Sequence, residues 1–153
     1  MRSPSAPFHV DDATFVRAPV DLVYRRLTDI GAWNDWWPGA RVQPRAPLAG
    51  DERWALSLAT GTGALLRLGL TCVGWRHDAG LDLHVEGDLR GRVEFWFDPS
   101  DAGTVIHHLA VVTPQRRWSR AVETGYRRAV RRGLWGFKDA RQLEMRTAIG
   151  LRP

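Results

Sequence analysis

Apolar positions recur along this chain first in short alternating segments and finally in one long helical stripe. From His9 to Arg17 the apolar residues Val10, Phe15 and Val16 predict a first strand, which Ala18-Pro19 stops. Pro19 suits the start of a helix. Val20, Val23, Tyr24 and Leu27 follow at helical spacing, with Asp21 in the first turn and Arg25 and Arg26 nearer the end, as the helix dipole favours. Ile30 to Trp37 predicts a second short helical segment ended by Pro38. Strand patterns come next: a short one at Arg41 to Arg45, then Arg53 to Ala59, where Trp54, Leu56 and Leu58 alternate with Arg53 and Ser57. After the Gly61-Thr62-Gly63 turn, Ala64 to Trp75 is a nearly continuous apolar run and predicts a strand covered on both faces. Leu81 to Glu86 sets Leu81, Leu83 and Val85 against Asp82, His84 and Glu86, which predicts that His84 and Glu86 face solvent. Gly87 and Gly91 read as bends or a bulge. Arg90 to Phe97, a loop from Pro99 to Gly103 and a last strand from Thr104 to Val112 complete the series.

The final period is helical. Thr113 to Thr147 reads as one long helix, with Thr113 as N-cap and Pro114 in the first position. Trp118, Val122, Gly125, Ala129, Gly133, Gly136, Ala140 and Leu143 fall in one stripe, opposite Arg120, Arg127, Arg131 and Lys138. After Trp118 that stripe is mostly Gly and Ala, bordered by Tyr126 and Phe137. Each interior Gly costs about 1 kcal/mol relative to Ala. Three on one face therefore call for close backbone approach, or for room left beside the helix.

Strands joined by short turns imply an antiparallel meander, and helices segregated from strands imply an α+β class. A sheet this long curls, and a single long helix can fill its concave side. The 153 residues fit one domain. Eight Trp at this length point to a large aromatic interior or pocket. The net charge is +5, and Lys138 is the only lysine. Arg side chains are spread along the chain among acids, which argues against nucleic-acid binding. An Arg-rich outer helix face as a partner surface stays as an alternative.

Cys72, the single cysteine, excludes an intramolecular disulfide and reads as a small buried hydrophobe. No spacing predicts a metal site or a cofactor, and no nucleophile motif, phosphate loop or nucleotide fingerprint occurs. Met1 to Pro7 holds no apolar h-region and no run reaches a membrane span, so a soluble cytoplasmic protein is the expectation.

Three stretches carry a resemblance: FVRAPVDLVYRRLTDIGAWNDWWPG near the start, GDLRGRVEFWFDPSDAGTVIHH in the middle and RRAVRRGLWGFKDA near the end. With this order of elements the chain resembles the START-like or SRPBCC superfamily, in particular its polyketide cyclase/dehydrase-like branch, over about residues 8 to 146. The resemblance implies a helix-grip fold: a curved antiparallel sheet of about six or seven strands wrapped around the C-terminal helix, with two short helices after the first strand. It also implies a deep hydrophobic cavity, for which small side chains on the helix would leave room. Members include cyclases, lipid and hormone carriers and stress-response binding proteins, so the fold leaves activity open.

On the last strand Thr104, Ile106, His108, Ala110 and Val112 share a face, and the family pattern puts that face on the cavity. His108 is thus the candidate catalytic group, able to exchange a proton near neutral pH in a cyclisation or dehydration. It reads equally as a hydrogen-bonded core histidine. Tyr24 and Tyr126 could offer hydroxyls to a carbonyl or pack in the core with a satisfied O–H. Arg67 could bind a carboxylate or enolate if it points inward, or snorkel outward at an edge. Trp33, Trp36 and Trp37 could stack on a flat ligand or staple the short helix to the sheet. Trp54, Phe95, Phe97, Ile106, Gly133 and Phe137 complete the expected lining. His107, Val105, Leu109 and Val111 face the other way, and that apolar outer face leads to an expectation of a homodimer. Two functions follow: a non-catalytic carrier or sensor of a hydrophobic small molecule, and a polyketide cyclase or dehydratase.

Overall fold

Period-two alternation yields seven strands in the structure, a computed structural model that describes residues 5–61, 63–115 and 119–150. In chain order they are β1 (Phe8–Val16), β2 (Ala40–Leu48), β3 (Asp51–Ala59), β4 (Leu65–Arg76), β5 (Gly80–Gly87), β6 (Leu89–Ser100) and β7 (Gly103–Pro114). Between β1 and β2 lie α1 (Val20–Thr28), a 3-10 turn (Ile30–Ala32) and α2 (Trp33–Trp36); α3 (Ser119–Ala148) follows β7. The sheet order is β1-β7-β6-β5-β4-β3-β2, every pair antiparallel. Strands β2 to β7 form a meander, while β1 closes onto β7. The segment holding α1 and α2 therefore carries the chain from one sheet edge to the other. This is the α+β helix-grip architecture expected from the sequence.

One face of the sheet is buried and the other is not. Leu66, Leu68, Leu70, Leu81, Leu83, Val85, Val93 and Phe95 point inward, while Arg67, His84 and Glu86 are exposed. The apolar run in β4 is thus covered on one side only: Leu65 and Val73 keep 47% and 43% of their surface. A run of apolar residues had implied two covered faces, but Gly69, Thr71 and Arg67 supply the alternation. Two glycines have a backbone reason. Gly87, with φ of 103°, would bring a Cβ to 2.5 Å from the Arg67 carbonyl, and Gly91 lies equally tight against the Val111 backbone. The free edge, β2, carries Pro44 and Pro47 with exposed Arg41 and Arg45, which discourages further strand pairing.

Thr113 and Pro114 are the last residues of β7, not the cap and first turn of the helix. Their pairing with Arg90 and Leu89 on β6 wins over the local capping signal. Trp118 lies outside the described residues. Leu143, expected on the apolar stripe, keeps 46% of its surface.

Helix α3 is anchored at both ends of its length. Arg131 Nε meets Asp12 Oδ2 at 2.9 Å, and Arg127 donates to the His9 carbonyl at 2.6 Å, both on β1. Towards the C-terminus Arg26 of α1 pairs with Glu144 at 2.6 Å, and Arg141 reaches the same carboxylate at 3.2 Å. The hydrogen bond from Arg26 holds the Glu144 carboxyl below the usual carboxylate range. Both partners remain partly solvated, so Arg26→Ala should cost only about 0.5–1 kcal/mol in urea unfolding, and less in 1 M salt.

Candidate functional site

Among the described residues the buried polar side chains are Thr60, Thr104 and His108, and of these only His108 is a titratable group. His108 stands on the inner face of β7, directly across from Phe95 on β6, and both are buried. Their rings meet edge to face at 4.7 Å. About two helical turns into α3, Tyr126 points down at the same spot, and its hydroxyl lies 2.8 Å from His108 Nε2. The other ring nitrogen, Nδ1, is buried without a hydrogen-bond partner. Burial disfavours the charged form of each group. It pushes the His108 imidazolium down to about 3 and raises the Tyr126 phenol well above its ordinary range. At neutral pH both groups are uncharged, one proton is shared along the Nε2···O line, and Nδ1 is left over as an unused donor or acceptor.

The pair opens onto a cavity of about 20 Å³, walled by Trp33, Trp37, Phe95 and leucines and valines of the inner sheet face. That is room for one water molecule and nothing larger. A second void of about 10 Å³ lies between Trp36, Trp37, Phe95 and the Gly133 side of α3. The deep hollow expected from the sequence is therefore filled, and tryptophan fills it. A Cβ on Gly133 would run into the Trp37 ring, one on Gly136 into the Trp36 carbonyl with Pro38 beside it at 2.9 Å, and one on Gly125 would sit 2.6 Å from the Thr60 side chain. The small residues of α3 admit these groups; they do not leave a vacancy. The indoles are fixed by hydrogen bonds, Trp33 Nε1 to the Leu27 carbonyl at 2.8 Å and Trp37 Nε1 to the Ala129 carbonyl at 2.9 Å. Trp36 stacks on Trp37 with centroids 5.7 Å apart, and its own Nε1 is buried and unpartnered.

Outside this plug, between α2 and the start of β2, runs an open groove of about 820 Å³. Trp36, Trp37, Val42 and Leu65 form its apolar part and Asn34, Asp35 and Arg41 its polar part. Asn34 clamps the Val42 backbone in both directions, at 2.7 and 3.2 Å, which fixes β2 against α2. This groove was not legible in the sequence, because the Gly39 turn that separates α2 from β2 carries no chemistry of its own.

The expected lining residues divide into groups. Trp33, Trp37, Phe95, His108 and Tyr126 converge on the central cavity. Trp36, Gly133 and Phe137 line the void beside it. Ile106 and Phe97 are buried core. Tyr24 packs on Phe97 and on His77 at the outer end of the sheet, the latter at 5.2 Å, and lies on neither cavity. Trp54 is half-buried and donates to Glu52 at 2.7 Å. Arg67 is exposed, because its position in the β4 alternation faces outward, so it cannot serve as a cation inside. Cys72 is buried, as expected, and burial pushes its thiol up to about 12. Among the described residues no cluster of His, Cys, Asp or Glu could hold a metal, and no helix is long and apolar enough to cross a membrane.

A seven-stranded antiparallel sheet gripping a long C-terminal helix, with short helices after the first strand, is a helix-grip fold, and solved structures share it. The chain is similar to the Zhui aromatase/cyclase from Streptomyces sp. R1128, with a TM-score of 0.77 at 17% identity over 95% of this chain and 99% of that one. It is similar to the di-domain ARO/CYC BexL from the BE-7585A biosynthetic pathway, with a TM-score of 0.69 and 18% identity over 89% of this chain and 50% of that one. Ara h 8.0201 matches with a TM-score of 0.66 at 8% identity over 88% and 97% of the two chains. Likeness at these identities carries the fold and leaves the activity open. No protein-family model matches the sequence, and no curated protein does.

Proposed function

We propose that this protein binds a hydrophobic small molecule, aromatic or poly-carbonyl in character, in the interior between sheet and α3, and that His108 and Tyr126 orient it. The observation that carries this reading is the polar pair itself. A histidine with an unpartnered Nδ1, set in a wall of leucine and phenylalanine, costs stability that a leucine would not. A ligand carbonyl or hydroxyl would give that nitrogen a partner. Pockets for small molecules commonly combine an apolar wall with a few polar groups of this kind.

The reading favours a carrier or sensor over an enzyme. A general base works best with a pKa near the working pH, and His108 at about 3 is too weak a base for that task while it is buried. A second reading, a cyclase or dehydratase acting on a poly-carbonyl chain, draws support from the likeness to two aromatase/cyclases, and it would need His108 to become solvated when the site opens.

Binding can be measured by fluorescence quenching with a hydroxylated anthraquinone as probe. Tyr126→Phe should weaken binding about ten-fold, the worth of one hydrogen bond of about 1.4 kcal/mol. His108→Gln, which keeps a hydrogen-bonding group, should lose less than His108→Leu. Equal affinity in all four proteins would refute the assignment of the pair, and no binding by wild type or by any variant would refute the proposed function.

A further inference from the structure

Trp37 is the one residue that borders all three spaces: the cavity at His108, the void beneath α3 and the open groove next to β2. It is 5% exposed, so a thin edge of its ring separates solvent from the interior. Its hold on the helix is narrow. One hydrogen bond, to the Ala129 carbonyl, and the notch left by Gly133 hold it to α3, while Trp33 and Trp36 pack on its ring at 5.5 and 5.7 Å. The cavity behind it is too small for any organic ligand, while the groove in front of it is large.

We propose that the Trp37 indole is a gate, and that a flat hydrophobic ligand enters from the groove beside β2 by displacing it and takes its place against Gly133. This rests on the binding function argued above and adds the route and the moving part. The ring's departure joins the two voids it now borders into one space that reaches His108 Nδ1 and Tyr126. Trp36, which is stacked on Trp37, lines the same groove. The ligand class follows from the volume vacated: planar, about the thickness of an indole, with a hydrogen-bond acceptor or donor at its inner end.

Gly133→Ala tests the gate directly. The new methyl would collide with the indole, so the ring must leave its notch, whereas Ala otherwise suits a helix better than Gly. Association of the anthraquinone, followed by stopped flow, should be at least ten-fold faster in Gly133→Ala and in Trp37→Phe than in wild type. Gly125→Ala, which crowds Thr60 on the same helix face, should stay within two-fold. A measurement on the wild type stands apart from any folding defect in the variants. Opening breaks the Trp37 Nε1 bond, so this indole proton should exchange with solvent at least ten-fold faster than that of Trp33, which is held by Leu27. Binding by Gly133→Ala and Trp37→Phe alone would also support the gate. Unchanged association rates in both variants, or a Trp37 proton exchanging as slowly as that of Trp33, would overturn the gate and leave the binding function standing. Absence of binding in every variant would overturn both.

Discussion

Trp33→Ala is expected to remove about 3–5 kcal/mol of stability, the largest loss from any single truncation in this chain. The ring is 1% exposed and touches three other aromatics: Trp36 at 6.0 Å, Trp37 at 5.5 Å and Phe95 at 5.9 Å between centroids. It sits where the α1–α2 segment crosses the concave sheet, so no neighbour can collapse into its place without dragging that segment along. Its hydrogen bond to the Leu27 carbonyl is lost as well. A domain of this size holds only about 5–15 kcal/mol in total, so the loss corresponds to a fall of about 10 °C or more in Tm. Urea unfolding should show a lower midpoint with an unchanged slope. Trp135 is the control, since it keeps 55% of its surface and Trp135→Ala should change stability by about 0.5 kcal/mol or less. A Trp33→Ala loss below about 1.5 kcal/mol would show that the cluster is loosely packed and would contradict the filled interior described above.

The elements were legible because their periods differ. Alternation in β5 and β6 put Leu81 and Phe95 on the apolar side, the family resemblance turned the Ile106 and His108 face of β7 inward, and all four are buried. Helical spacing after Pro19 located α1, whose observed span is Val20–Thr28. The errors occurred where tertiary pairing overrides a local signal. Thr113-Pro114 has the form of a helix start, yet its neighbours on β6 hold it in the sheet. The Gly and Ala stripe of α3 posed a question that sequence could not settle, because a missing side chain looks the same whether the gap holds a ligand or a neighbour. The structure settles it for the closed form: the gap at Gly133 holds Trp37, and the one at Gly125 holds Thr60. Within the candidate site, strand parity grouped His108 with Ile106 and Ala110, the family resemblance turned that face to the interior, and Tyr126 followed from the helix border. Their direct contact did not, because it depends on the relative depth of two elements 18 residues apart. Arg67 faces outward, the more common of its two readings, because its place in the β4 alternation outweighs the apolar content of the run.

The second large effect concerns acid. The folded protein holds His108 neutral down to about pH 3, whereas an unfolded histidine binds its proton near pH 6.5. Between those values the unfolded chain carries the extra proton, so stability rises with pH across the window and falls as the solution is acidified. Above pH 6.5 both states are neutral at this position and the histidine has no pH-dependent effect. Below it, each unit of acidification should cost about 1.4 kcal/mol from this one group. Wild type and His108→Gln can be compared by urea unfolding from pH 7.5 to pH 4.5. Carboxylates such as Glu144, which is held ionised by Arg26, lose their contribution on acidification in both proteins and cancel in the difference. The gap between the two proteins should therefore shift by about 2–3 kcal/mol in favour of His108→Gln over that range, and stay flat above pH 7. Gln can still meet the Tyr126 hydroxyl but takes no proton, so packing alone cannot mimic the slope. Parallel profiles would mean that the imidazole titrates normally in the folded state, which requires water at its ring. The interior would then be hydrated, and the apolar wall around the pair would have to be more open than its closed cavity implies.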